Sequence, residues 1–150
     1  MLYVYEFEIF ESEGRVLACP YDMDGGTFGD DLRTACEMAA DWLRTEAESR
    51  LIHDINFPEP TFGNEPTHGG RNAIVAVDAS KDTIRKVSAS KAAKMLGVTP
   101  GRVSQMVSAG RLEAFKDDDG IHTWVTVDSI EARIAEAPRA GRPKKGRTCA

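Results

Sequence analysis

The residues from Thr99 to Ser108 are the side chains in this 150-residue chain best suited to reading another molecule. Wound as a helix, they turn Val103, Met106 and Val107 inward and Thr99, Gly101, Arg102, Ser104, Gln105 and Ser108 outward. Gln105 can pair with adenine through two hydrogen bonds, and Arg102 with guanine or a phosphate. A good bidentate contact discriminates between bases by about 1–3 kcal/mol. Ser104 and Ser108 suit phosphate oxygens. The chemistry on offer is duplex recognition by a helix seated in the major groove. The bland alternative for Arg102 is a solvated surface charge.

Catalytic chemistry has weaker candidates. Glu6, Glu8, Glu37 and Asp78 fall on elements that could approach one another, as two-metal hydrolysis would require. Yet Glu6 and Glu8 alternate with apolar residues, and Glu37 lies among polar helix positions, so solvation explains all three. His53, His68 and His122 are far apart in sequence and have no partner at metal-ligand spacing. No Gly-rich phosphate loop, nucleophile elbow or zinc motif is present. Neither turnover nor a cofactor or metal is expected.

Thr99 to Ser108 needs a support, and the flanking sequence supplies one. Ser88 or Ser90 can cap a short helix carrying Ala92, Ala93 and Leu96. Gly97 suits a turn. Thr99 at the cap and Pro100 at the first helical position then start a second helix. Small Ala93 lets two helices approach, and Leu96, Val98, Val103 and Met106 fill the space between them. An αα-hairpin used only for packing is the alternative. Gly110 suits the second helix's end. Leu112 to Phe115 and Ile121 to Val125, joined by the Asp117–Gly120 turn, read as a hairpin. Asp128 or Ser129 caps a further helix with Ile130 and Ile134 facing inward. Phosphate would repel Asp117, Asp118 and Asp119, so the tip of this hairpin should point away from DNA or contact another chain.

The charge of −5 conceals two unlike halves. Residues 1–80 carry 16 Asp/Glu against 5 Lys/Arg, a net of −11, whereas residues 81–150 carry 8 against 14, a net of +6. Such asymmetry suggests two modules with different partners. Most of the positive excess falls in a Pro- and Gly-containing tail at 138–150, too polar to fold alone. There Gly141-Arg142-Pro143 followed by Lys144 and Lys145 looks like the centre of an AT-hook, which lays Arg in narrow minor grooves. A solubilising end is the alternative.

In the acidic half, Tyr3, Tyr5, Phe7 and Ile9 alternate with polar residues as a half-buried strand does. Arg15 to Cys19 returns after a Ser12-Glu13-Gly14 turn, and Thr27-Phe28-Gly29 forms a third short strand. Asp30 or Asp31 caps a helix of about four to five turns whose apolar stripe is Leu32, Cys36, Ala39, Leu43 and Ala47. Met38 and Trp42 flank that stripe, either as the edge of the core or as anchors for a protein partner. Phe57 to Gly70 holds three prolines and three glycines and reads as a loop. Ala73 to Val77 is a continuous apolar run, fit for a strand in the middle of a sheet. The expected architecture is therefore α+β: an N-terminal β-β-β-α-β domain at 1–80, a winged helix-turn-helix at 81–137 and a disordered basic tail.

Two family resemblances follow from these residues. The aromatic and acidic first strand, the hairpin, Gly26-Thr27-Phe28-Gly29-Asp30 entering an Ala-rich helix, the Pro-rich excursion and the last strand resemble HicB-like antitoxins. Arg33-Thr34 stands where that family more often has a Glu pair. The resemblance implies a partial ribonuclease H-like domain that binds a HicA-like RNA-cleaving toxin. Residues 86–136 are similar to the winged helix-turn-helix of MerR-type regulators and phage excisionases. Together they imply an antitoxin that neutralises its toxin and represses its own promoter, binding operator DNA as a homodimer or higher homo-oligomer. The competing reading is a stand-alone regulator or excisionase-like protein whose N-terminal domain senses a ligand or mediates assembly. Three cysteines without paired spacing, no apolar run of membrane-spanning length and no basic, apolar leader at Met1–Glu6 make a cytoplasmic location, away from any membrane, the expectation.

Overall fold

A computed structural model of the chain describes residues 1–140, with side chains as far as residue 136. The expected tail residues Arg142, Lys144 and Lys145 lie outside the described residues. Over the described residues the chain is mixed α+β, with four helices and two antiparallel sheets, and divides into two compact units, residues 1–83 and Ile84 onward. No helix among the described residues is long and apolar enough to cross a membrane.

The first unit is a four-stranded sheet with one helix on one face. Its strands are β1 (Leu2–Ser12), β2 (Arg15–Pro20), β3 (Thr27–Gly29) and β4 (Arg71–Asp78), in the order β3-β2-β1-β4. Alternation along β1 sends Tyr3, Tyr5, Phe7 and Ile9 into the core, where Phe7 is fully buried. α1 (Leu32–His53) begins at Asp31, whose carboxylate accepts the Thr34 amide at 2.8 Å, and ends at Asp54 in the left-handed region. At 22 residues it makes about six turns, more than expected. Its buried stripe is Ala35, Ala39, Leu43 and Ala47. Leu32, expected to lead that stripe, is 44% exposed, and Cys36 is only half-buried. Four small or compact residues at intervals of four let the helix lie close to the aromatic face of β1.

β4 overturns one expectation. It is an edge strand, because β1 takes the place between β2 and β4. Of its apolar run only Val75 and Val77 are buried, while Ile74 is 63% exposed. Unbroken apolarity therefore marked the strand without marking its position in the sheet.

A second correction concerns Glu6 and Glu8. They point to the sheet face opposite α1, as alternation requires, yet they are 4% and 2% exposed. The loop between α1 and β4 folds back over them. Glu6 accepts the amides of Gly63 (3.1 Å) and Asn64 (2.8 Å), together with the Asn64 side-chain amide (2.9 Å). Glu8 accepts the amides of Thr67 (3.1 Å), His68 (2.8 Å) and Gly70 (3.1 Å), the Thr67 hydroxyl and the His68 ring at 3.0 Å. A loop without secondary structure must still satisfy its amides. Here two carboxylates do so, which offsets the cost of burying them.

The second unit contains β5 (Lys86–Ser88), α2 (Ala89–Leu96), α3 (Pro100–Ser108), β6 (Ala114–Lys116), β7 (Thr123–Thr126) and α4 (Val127–Ala140), with its strands in the order β5-β7-β6. Its core comprises Ala92, Ala93, Val103, Met106, Leu112, Val125 and Ile130. β5 was not anticipated. Thr126, rather than Asp128 or Ser129, leads into α4, and its hydroxyl accepts the Ser129 amide. Ile134, expected inside, is 43% exposed, because no described core residue lies beyond Ile130 to cover it. α4 also continues through Pro138 to Ala140, where the tail was expected to begin.

Candidate functional site

The outward face of α3 is built by local rules. Ser88 caps α2, accepting the Lys91 amide at 3.2 Å. Gly97 then turns the chain with φ at 69°, a backbone region glycine enters without strain. Thr99 caps α3 by accepting the Arg102 amide at 3.1 Å, and Pro100 occupies the first turn. Val103 and Met106 are buried against Ala92 and Ala93. With that side committed to the core, Thr99, Gly101, Arg102, Ser104, Gln105 and Ser108 are all left exposed.

Their side chains are partly engaged with one another. Arg102 Nη1 donates to Gln105 Oε1 at 3.2 Å, and Ser104 Oγ donates back to the Pro100 carbonyl at 3.4 Å. Ser108 stands open at the helix's end. Lys91, Lys94 and Arg111, which the sequence reading did not single out, are exposed and have no ion-pair partner among the described residues. Their signal was the charge placed on exposed helical and turn positions next to Thr99–Ser108. Cations of this kind contribute sequence-independent affinity for phosphate.

The hairpin between β6 and β7 behaves differently. Asp119 accepts the amides of Ile121 (2.8 Å) and His122 (3.3 Å), and its second oxygen meets the His122 ring at 2.9 Å. The hydrogen bond to Asp119 raises the His122 pKa, while the Ile121 amide lowers that of Asp119. Asp117, Asp119 and His122 bring ligand-type atoms within 4.8 Å of one another, so His122 does have carboxylates nearby, contrary to the spacing argument. The Asp119 carboxylate and the His122 ring are spent on closing the turn, to which Asp117 contributes its backbone amide and carbonyl.

In the first unit the acidic candidates are dispersed. Glu37 pairs with Arg33 on the outside of α1 (3.0 Å), and Asp78 pairs with the amino group of Met1 (2.8 Å). Glu6 and Glu8 hold the loop on the other face of the sheet. Among the described residues these four carboxylates form no shared cluster that could hold a metal ion. Trp42 packs edge-on to Phe7, ring centres 6.0 Å apart, and belongs to the margin of the core; Met38 is 39% exposed. An open groove of about 750 Å³ lies at one end of the unit, lined by Phe10, Glu11, Val16, Asp30, Leu32 and Arg71. Glu11 and Asp30 have no ion-pair partner among the described residues.

No family model and no curated protein matches the chain. Among solved structures it is similar to a chain of a toxin–antitoxin complex from Streptococcus pneumoniae, at 16% identity and a TM-score of 0.47, over 73% of this chain and 99% of that one. A likeness of that degree establishes neither a shared fold nor a shared partner.

Proposed function

We propose that the chain is a two-part antitoxin: a binding protein without turnover, whose first unit covers a basic, HicA-like RNA-cleaving toxin and whose second unit is a winged helix-turn-helix that represses the promoter. The observation that carries the DNA half is α3 itself. It is a capped helix buried on one side through Val103 and Met106, and its opposite side is an exposed row of Arg102, Ser104, Gln105 and Ser108. That row carries the donors and acceptors that base edges and phosphates take. One short helix reads few bases, so the reading calls for a dimer on two half-sites.

The toxin half is supported by the net charge of −11 in residues 1–80, by the groove with its two unpaired carboxylates, and by the resemblance of those residues to HicB-like antitoxins. Opposite charge speeds and orients encounter with a basic partner. The test has two arms. The purified full chain is titrated against a HicA-like toxin in an RNA-cleavage assay, and against the duplex upstream of its own gene in a gel-shift assay. The reading expects cleavage to stop at about equimolar chain and the duplex to shift, with Gln105→Ala weakening the shift alone. Undiminished cleavage removes the toxin half. A Gln105→Ala variant that binds as tightly as its parent removes the role given to α3.

A further inference from the structure

The outer row of α3 also bears on which base it would read. Arg102 and Gln105 lie one turn apart, and the guanidinium has donors but no acceptor. Contact between the two side chains can therefore be made only through the amide oxygen of Gln105. That fixes which way round the amide sits: Oε1 is turned to Arg102, and Nε2 is left with both hydrogens. Arg102 keeps its remaining N–H groups. Thr99 Oγ1 is held by the Arg102 amide at 3.1 Å, and Ser104 Oγ is turned to the Pro100 carbonyl, so neither hydroxyl is directed at the pair.

Resting on the reading of α3 as a DNA-reading helix, we infer that Arg102 and Gln105 act as one unit that selects guanine rather than adenine. Pairing of a lone glutamine with adenine uses Nε2 as donor to N7 and Oε1 as acceptor from the 6-amino group. Here that amino group must share Oε1 with a cation, donor against donor. Guanine instead presents N7 and O6, two acceptors that match the donors of both side chains. Arg102 is thus the positioning residue for Gln105 as well as a base contact. Removing it changes the base that Gln105 prefers.

The experiment uses the full chain and selection from a randomised duplex pool at fixed salt. Guanine is expected at a position whose enrichment disappears in Gln105→Ala. At that position 7-deazaguanine, which lacks the N7 acceptor, should lower affinity by about 10-fold, the low end of what a bidentate contact discriminates. Inosine, which keeps N7 and O6, should bind as guanine does. Arg102→Ala should move the preference there from guanine to adenine. Both side chains are exposed, and the base-analogue arm needs no variant, so a folding defect cannot mask the answer. Adenine, thymine or cytosine enriched there by the parent chain overturns the guanine unit while leaving α3 as the reader. So does guanine retained undiminished in Arg102→Ala. No enrichment at all, with only salt-sensitive binding, overturns the reading and the inference together.

Discussion

Replacing Glu8 with Gln tests how the loop before β4 is held. Five donors converge on this carboxylate at 2.8–3.1 Å: three backbone amides, the Thr67 hydroxyl and the His68 ring. Glutamine keeps the shape but removes the charge and turns one oxygen into an amino group. In one orientation that group faces the amides of His68 and Gly70, and in the other it faces the Thr67 amide, the Thr67 hydroxyl and the His68 ring. At least two donors therefore lose their acceptor. An unsatisfied buried donor costs about 1–3 kcal/mol, and hydrogen bonds to a charged group are worth about 1.5–3 kcal/mol each. The loop can peel away and rehydrate its amides, which limits the loss to about 2–4 kcal/mol.

Amide hydrogen exchange by NMR reads the effect residue by residue. Protection should fall at Thr67, His68 and Gly70 and persist at Ala35 and Leu43 in α1. Unchanged exchange at those three amides, with a stability loss under about 0.5 kcal/mol by urea unfolding, would refute the account. The same carboxylate gives a pH signature. Burial alone would push its pKa up, but the His68 ring and the three amides outweigh it and lower the value from 4.5 to about 2. A folded-state pKa below the unfolded one gives stability that is full above pH 4.5 and lost as pH falls towards 2. Glu8→Gln should flatten that acid limb.

Three further outcomes are expected. Gly29→Ala would set a Cβ 2.5 Å from the Ala35 amide nitrogen and 2.7 Å from the Thr34 carbonyl carbon, so it should destabilise the first unit by about 1–3 kcal/mol in urea unfolding. Thr99→Ala removes the cap of α3 and should cost about 1 kcal/mol by the same measurement, with Thr99→Ser restoring most of it. By NMR titration His122 should titrate above 6.5 and return towards that value in Asp119→Asn. Its partnership with Asp119 strengthens when the ring is protonated, so that contribution is present at low pH and fades as pH rises through the raised pKa.

The α2–α3 arrangement was legible because each part obeys a local rule. Ser88 and Thr99 accept the amide three residues on, Gly97 turns left-handed, and Val103 and Met106 recur at helical spacing. α1 was legible as a helix, though its buried stripe is displaced: it starts at Ala35, while Leu32, expected to lead it, is exposed. Where partners lie far along the chain, local pattern was silent. Alternation put Glu6 and Glu8 away from α1 but could not show that residues 63–70 would return to cover them. The available clue was a glycine-containing loop whose amides needed acceptors, facing two carboxylates on a strand otherwise rich in aromatics. β5 is three residues long, too short for a period, and is defined only by its ladder with β7. β4's place at the edge depends on which strand lies beyond β1, a property of topology rather than of its own apolar run. The spacing of Arg102 and Gln105 was visible, but the direction of the hydrogen bond between them was not.

The division of labour between the two units is tested most directly by chemical-shift mapping of the full chain, isotope-labelled, against the duplex upstream of its own gene. Changes should centre on Thr99 to Ser108, with lesser ones at Lys91, Lys94 and Arg111, and none along β1 to β4. Changes concentrated on the first unit, with α3 unmoved at saturating duplex, would contradict it.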